Sequence, residues 1–487
     1  MSETDAAFQF HHVQLFVNEV KPLQEYKNLE ARLNALAHKG QFDPFSGQMR
    51  FLQPSAHDTR VQEGKRAWQE ICKDCENQPQ NFQSCGQDLV EQLMVGLGWR
   101  VTAEYVGVAT QSVLVTSSDP CGVKLCISAA RKEEAEGERS GTRELYEHFG
   151  LSQVKRFAEA HNGRQCIGVL GFEVSAGSIS EILERYQRLH PKLLVEDTIQ
   201  QYLDTRTVQR VSAGEASSTT VELGRMQILE VFAYYKVDPQ EGEREPDTGT
   251  VLRFVERAGT FASSPGFANP EGVLPGMCDA APRFDGTSIP AYSDHWVSNV
   301  QDRVGFLQTL NDTLGFVPKV EFNAGVVAAG SAQIESTVVG NPTAPPSSSQ
   351  EEALKNQSQV YLPVNNALSD SGHVHSFLAQ LGQGVQHLAS RVEDLVSFVE
   401  RVNNYRAMTG RGLSFLSIPR SYYGSLSLSS LCSAGASAPL AEEIWKQLQA
   451  QQIMSADGIV RLTLSHEEVF ALDVGRGGGG GGGGGGG

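Results

Sequence analysis

SDHWVSNVQDRVGFLQTLNDTLGF, residues 293–316, is the stretch on which the fold turns. Asp294–Val300 reads as a short strand with apolar Val297 and Val300. Val304, Phe306, Leu307, Leu310 and Leu314 then recur at helical spacing over Asp302–Leu314, and Gly315 stops the helix. One histidine, His295, stands at the start of the strand. A lone histidine in such a place more often fills a core than holds a ligand, so its meaning depends on what the rest of the chain sets beside it.

Working outward, the same element order recurs. In the first half a strand at 8–17 precedes a loop-rich stretch to about residue 85, then a helix (Gln87–Met94) and strands Arg100–Val106, Ser112–Thr116 and Val123–Ser128. A strand at 165–174, a helix Ile179–Leu189 and strands Thr219–Leu223, Ile228–Tyr235 and Thr250–Val255 follow. In the second half the opening strand and helix precede strands Lys319–Phe322, Ser336–Val339 and Gln359–Pro363. Strand Val385–Ala389, helix Val392–Tyr405 and strand Leu413–Ile418 come next. Two halves with one element order imply internal duplication of a strand–helix–strand–strand–strand unit in an α+β fold. Its curved sheet can enclose a ligand. The expected organisation is an N-terminal domain over 8–258 with an insertion at about 40–85, a Gly/Pro/Ser/Ala-rich linker over 259–290, and a C-terminal domain over 291–475. The Pro/Ser-rich insert at 341–357 reads as a disordered loop, and residues 476–487 as a poly-Gly tail unable to join a core.

The chain has 487 residues, 40% hydrophobic and 20% charged, as expected of a soluble globular protein. Its net charge of −17 argues against nucleic-acid and anionic-membrane surfaces, which need clustered Lys and Arg. No apolar run approaches the roughly 18 residues of a membrane span. The acidic start MSETDAAFQF lacks signal-peptide character, which points to the cytoplasm. The eight cysteines are scattered. Cys72 and Cys75 form a CxxC with Cys85 nearby, but no second pair follows, so free thiols are expected.

A second singular histidine, His387, opens the strand in GQGVQHLASRVEDL. His295 and His387 occupy equivalent places in their modules, and equivalent strands lie side by side around a pseudo-twofold axis. Two imidazoles would then face one cavity. One added carboxylate makes the two-His-one-carboxylate face that suits Fe(II) oxygen chemistry.

Here a resemblance emerges. SDHWVSNV (293–300), TLGF (313–316), VYLPVNN (360–366), GVQHLA (384–389), FLSIPRSYY (415–423) and, loosely, QIMSADGIV (452–460) resemble the 4-hydroxyphenylpyruvate dioxygenase family of the vicinal oxygen chelate superfamily. The first half resembles it more weakly, through FHHVQLFV (10–17) and VLRFVER (251–257). The resemblance implies two glyoxalase-like curved-sheet domains of duplicated βαβββ modules. It implies Fe(II) held by His295 and His387, and an aromatic 2-oxo acid and O₂ as small-molecule partners. The implied reaction is oxidative decarboxylation and ring hydroxylation to homogentisate and CO₂, as in tyrosine catabolism. Matching pocket residues are Ser336, Pro363, Asn365 and Gln386, whose polar members could hydrogen-bond the oxo acid or the phenol. Structural duties, a turn cap for Asn365 and backbone contacts for Gln386, stand beside that reading. Members of the family commonly associate, so a homo-oligomer is left open.

The match fails at the end. The family closes its metal site with a glutamate in a stretch resembling FIEIIQR; this chain reads VRLTLSHEEVFALDVGR, then glycine. A hairpin of Val460–Leu464 and Val469–Val474 would put Asp473 at the carboxylate position, one methylene shorter, with Glu467 and Glu468 solvated on the turn. The family's C-terminal lid helix has no counterpart. His373 stands near a family pocket glutamine, yet reads as an exposed loop residue beside His375. In the first half, His12, Cys166 and Glu256 echo a metal triad and read as a relic of duplication. Three functions stay open: the homogentisate-forming dioxygenase, a related oxygenase with another aromatic 2-oxo acid or product such as a hydroxymandelate, and a non-catalytic small-molecule binder lacking the third ligand.

Overall fold

The computed structural model describes residues 7–38, 54–76, 87–107, 110–131, 151–212, 215–237, 244–262, 270–322, 328–329, 332–413, 427–433 and 437–450. The class is as expected: α+β, with βαβββ modules whose strands build one large curved sheet. The first module runs from β1 (Phe8–Phe16) through helices α1 (Leu23–His38), α2 (Pro54–Glu76) and α3 (Leu89–Leu97) to β2 (Arg100–Val106), β3 (Thr110–Thr116) and β4 (Lys124–Ala130). Helix α4 (Leu151–Ala160) leads to the second: β5 (Cys166–Val174), α5 (Ser178–Leu189), β6 (Leu194–Ser212), β7 (Glu215–Tyr235) and β8 (Pro246–Gly259). A short strand β9 (Cys278–Asp279) then lies along β2. The third module holds β10 (Tyr292–Asn299), α6 (Arg303–Leu314), β11 (Val317–Phe322), β12 (Ala328–Ala329), β13 (Ala332–Gly340), α7 (Gln350–Lys355) and β14 (Tyr361–Ala367). After α8 (His373–Leu381), a fourth opens with β15 (Gly384–Arg391) and α9 (Leu395–Thr409), before α10 (Leu428–Ser433) and α11 (Ala438–Ala450).

Three modules share one ladder. The first strand runs parallel to the last, β1 with β4, β5 with β8 and β10 with β14, and the other pairings within them are antiparallel. Modules then meet in pairs through antiparallel first strands, β1 with β5 and β10 with β15. The single bridge Val385 to Ile167 joins the two pairs.

Local chemistry fixes β10 and α6. Asp302 caps the helix by accepting from the Gly305 amide at 2.8 Å, and Gly315 ends it at φ 70°, a left-handed conformation that favours glycine. Phe306, Leu310 and Leu314 turn inward, whereas Val304 is 66% exposed and so lies off the apolar stripe expected for it. On β10 the strand alternation sends Trp296 and Ser298 to one face. Trp296 is buried with its ring 4.4 Å from Phe10 and 5.3 Å from Phe172, and the Ser298 hydroxyl meets the Tyr234 hydroxyl at 2.8 Å. That face glues the C-terminal half to the N-terminal half and leaves the opposite face for a site.

Several sequence expectations need correction. The loop-rich stretch before residue 85 contains α1 and α2, and Tyr26, Leu29, Leu33 and Leu36 bury one stripe of α1. The expected linker is packed: Val273, Leu274, Met277 and Ala280 are buried, and Asp285 forms a fully buried ion pair with Arg100 at 2.8 Å. The insert at 341–357 is not a disordered loop. It carries α7, capped by Ser349, and Asn341 and Asn356 hold its turns by side-chain hydrogen bonds. Strand Leu413–Ile418 falls almost wholly outside the described residues, as do the hairpin at 460–474 and the poly-Gly tail. Among the described residues no helix is long and apolar enough to cross a membrane.

Candidate functional site

Strand alternation places His295, Val297 and Asn299 on the face of β10 opposite Trp296 and Ser298. Register carries that face outward: His387 lies opposite Val297, Asn365 beside Asn299, and Ser336 opposite Asn365. Pro363, two residues before Asn365, shares the face. His295 and His387 are diagonal neighbours across the β10–β15 ladder, with ring centroids 5.7 Å apart and planes at 76°.

The ladder skips one residue on each strand. Asp294 falls between Ser293 and His295, and Gln386 between Val385 and His387. Such β-bulges re-aim side chains. The twofold operation that exchanges β10 and β15 maps His295 onto His387 and Asp294 onto Gln386. Each bulged residue holds the next imidazole by Nδ1: Asp294 Oδ2 lies 2.7 Å from His295 Nδ1, and Gln386 Oε1 3.1 Å from His387 Nδ1. Carboxylate and amide oxygens accept, so both Nδ1 atoms donate and each Nε2 lone pair is left for another partner. Gln386, expected in the substrate pocket, is thus a ring holder in this geometry.

Electrostatics agree with that tautomer. The hydrogen bond from His295 pulls the Asp294 carboxyl below its ordinary range against the opposing effect of burial, helped by the charge of Arg391, whose Nε lies 3.6 Å from Asp294 Oδ1. His387 is exposed. Desolvation, then the neighbouring His295 and His373, nevertheless push its pKa down to about 4. His373 opens α8 and is exposed.

The remaining polar groups form a row. Ser336 and Asn365 are buried, and Asn365 Nδ2 donates to Asn299 Oδ1 at 3.2 Å. Asn299 Nδ2 has no partner among the described residues. Asn299, Asp294 and Arg391 escaped the sequence reading. Asn299 stands four residues beyond His295 on one strand, and that even spacing was the available signal. Among the described residues no group of three His, Cys, Asp or Glu side chains converges to hold a metal, and Asp473 lies outside them.

The N-terminal half repeats the frame with other residues. Its β1–β5 ladder skips His11 and Gly168, and register matches His12 to His295 and Val169 to His387. Cys166 pairs with Phe16, away from His12, and Glu256 lies on β8 opposite Gln227, so the three do not form a triad. His12 Nε2 is instead 2.8 Å from Arg253, itself bound to Glu230 at 2.7 Å. Burial, then neighbouring cations, holds His11 and His12 well below the ordinary imidazole value; burial also lowers His161. As pH falls below about 6.5, the unfolded chain takes up protons on these rings before the folded chain does. Stability should therefore drop as pH falls below that value. Urea midpoints measured between pH 8 and 5 should show this decline, and His11→Gln should flatten it.

No family model matches the chain. Among solved structures, a mutant of 4-hydroxymandelate synthase from Streptomyces coelicolor is similar at 15% identity and TM-score 0.35, over 73% of this chain and 77% of that one. A xylose isomerase-like TIM barrel/4-hydroxyphenylpyruvate dioxygenase fusion protein is similar at 14% identity and TM-score 0.37, over 75% of this chain and 42% of that one. A 2,2',3-trihydroxybiphenyl 1,2-dioxygenase from Sphingomonas wittichii is similar at 14% identity and TM-score 0.29, over 67% and 76%. These likenesses are too distant to assign a reaction. The strand order and the paired histidines carry the functional reading.

Proposed function

We propose that the chain is an Fe(II)-dependent dioxygenase acting on an aromatic 2-oxo acid, with 4-hydroxyphenylpyruvate as substrate and homogentisate and CO₂ as products. One observation carries this reading. Two twofold-related imidazoles with ring centroids 5.7 Å apart each have Nδ1 held by a bulge residue and Nε2 without a partner among the described residues. That donor set fits two corners of a two-His-one-carboxylate centre, with Asp473 proposed for the third. Bound there, Fe(II) would supply Lewis acidity and electron transfer to O₂.

The chain's own residues do the rest. Asp294 and Gln386 fix the rings. Ser336, Asn365 and Asn299 offer hydrogen bonds along one row, and Pro363 presents an apolar wall on the same face. Replacing Asp294 with asparagine keeps the shape and removes the charge behind His295. Outer partners of ligating histidines are typically worth about 10–100-fold in metal affinity, so Asp294→Asn should weaken Co(II) binding within that range. Titration of the cobalt absorption bands checks it.

The test of function is direct. Protein reconstituted with Fe(II) should consume O₂, release CO₂ and form homogentisate from 4-hydroxyphenylpyruvate. CO₂ release with a hydroxymandelate instead would reassign the product. No iron retained by folded protein would reduce the chain to a small-molecule binder.

A further inference from the structure

The N-terminal half has lost the paired imidazoles but keeps a charged strip on the same face. Register aligns Thr116 with Lys124, and His12 with Gly171, Arg253 and Glu230; Lys124 and His12 each stand one residue before the Val13–Leu125 pair, so the six fall in one row across six strands. Apolar walls flank it. Ala103, Tyr105, Leu114 and Cys126 lie on one side under Val273, Leu274 and Met277 of the connecting segment. Met226, Ile228, Val255 and Phe261 lie on the other. Arg257 fastens the connecting segment by donating to the Gly272 carbonyl at 2.9 Å.

Hydrogen-bond direction along the strip is forced. A guanidinium only donates, so Arg253 donates to Glu230 at 2.7 Å and to His12 Nε2 at 2.8 Å. His12 must then carry its proton on Nδ1 and donate to His11 Nδ1 at 2.8 Å. His11 is left with its proton on Nε2. That atom is buried, the residue is 5% exposed, and no described residue accepts from it. Lys124 lies in the same electrostatic neighbourhood, with Glu173 and Asp119 among its charged neighbours, and among the described residues its ammonium donates to the Gly122 carbonyl at 3.4 Å. Gln14, 2% exposed, donates to Ser128 at 2.9 Å while its amide oxygen meets no described donor. Buried polar groups seldom stay unpaired. One orphaned donor on His11, one orphaned acceptor on Gln14 and the singly hydrogen-bonded Lys124 ammonium, between apolar walls, define a complementary ligand: a carboxylate for His11 and Lys124, a hydroxyl for Gln14 and an apolar body for the walls.

We propose that this strip is a second small-molecule site, binding a hydroxycarboxylate with an apolar substituent through His11, Lys124 and Gln14. It is independent of the centre at His295 and His387. The test is ¹⁵N-histidine NMR of the full chain without added metal, titrated with mandelate as probe. The expected result is a saturable shift of the His11 Nε2 resonance. It should be weakened at least about 10-fold by Lys124→Met, as loss of one charged hydrogen bond predicts, kept by Lys124→Arg, and unaffected by His387→Ala. No saturable His11 shift would overturn the site. So would a response that His387→Ala removes and Lys124→Met does not. Equal binding of inorganic phosphate would overturn the ligand class. Should Lys124→Met fail to fold, magnetisation transfer from the mandelate ring to Met277 and Phe261 in the unaltered protein decides, its absence counting against the proposal.

Discussion

Replacing His387 with alanine should lower CO₂ release from 4-hydroxyphenylpyruvate by about 1,000-fold, equivalent to about 4 kcal/mol. The expectation follows from the geometry of the ladder. His387 is the twofold mate of His295, and no third metal-binding side chain joins the pair among the described residues to compensate. The fold should survive, because His387 is exposed. Substitutions at such places usually shift stability by less than about 0.5 kcal/mol. The pair of measurements is therefore diagnostic: iron content and turnover collapse while the urea midpoint holds. Full turnover by folded His387→Ala would refute the proposed centre. Partial rescue by added imidazole, with no rescue of His295→Ala/His387→Ala at the same concentration, would support a ligand role over a packing role.

Cutting the Glu230 side chain back to alanine should cost about 3–5 kcal/mol of stability, the usual result of stranding one buried charge. Arg253 is fully buried and Glu230 nearly so, at 2.7 Å from each other. Arg253 also lies beside Gly171, where a Cβ would come within 2.5 Å of the His12 ring. Ring, guanidinium and carboxylate thus fill one tight layer. Glu230→Leu with Arg253→Met should recover part of the loss, since apolar isosteres of a buried ion pair are often tolerated. Recovery would be incomplete because His12 Nε2 would lose its donor. Urea denaturation of the single and double variants measures both, and a loss below about 1 kcal/mol for Glu230→Ala would show that water reaches the arginine.

Much of the architecture could be read from residues whose local chemistry admits one outcome. Asp302 and Gly315 bracket α6 because a carboxylate caps orphan amides and a glycine accepts positive φ. The proximity of His295 and His387 was also legible, because duplicated strands must pair about their axis. What escaped was register. A bulge adds one residue without changing the apolar pattern, so nothing in the sequence marks Asp294 or Gln386 as skipped. The same slip misplaced Cys166, three positions from the true counterpart of His387. Composition misled elsewhere. Residues 341–357 look disordered by their Pro and Ser content, yet Arg391 anchors them from a distant strand by donating to Ala353 and Asn356. The stripe on α1 was present all along in Tyr26, Leu29, Leu33 and Leu36, obscured by the polar residues between them.

The Arg391 side chain links more than it would in a surface loop. Its guanidinium touches the carbonyls of Ala353, Ser293 and Asn356, and its Nε lies against the carboxylate that grips His295. The helix-bearing insert at 341–357 is therefore mechanically in series with the His295 imidazole. Trimming that insert would not be a neutral edit: it would leave the guanidinium freer to pull on Asp294, and the tilt of the ring would register the change.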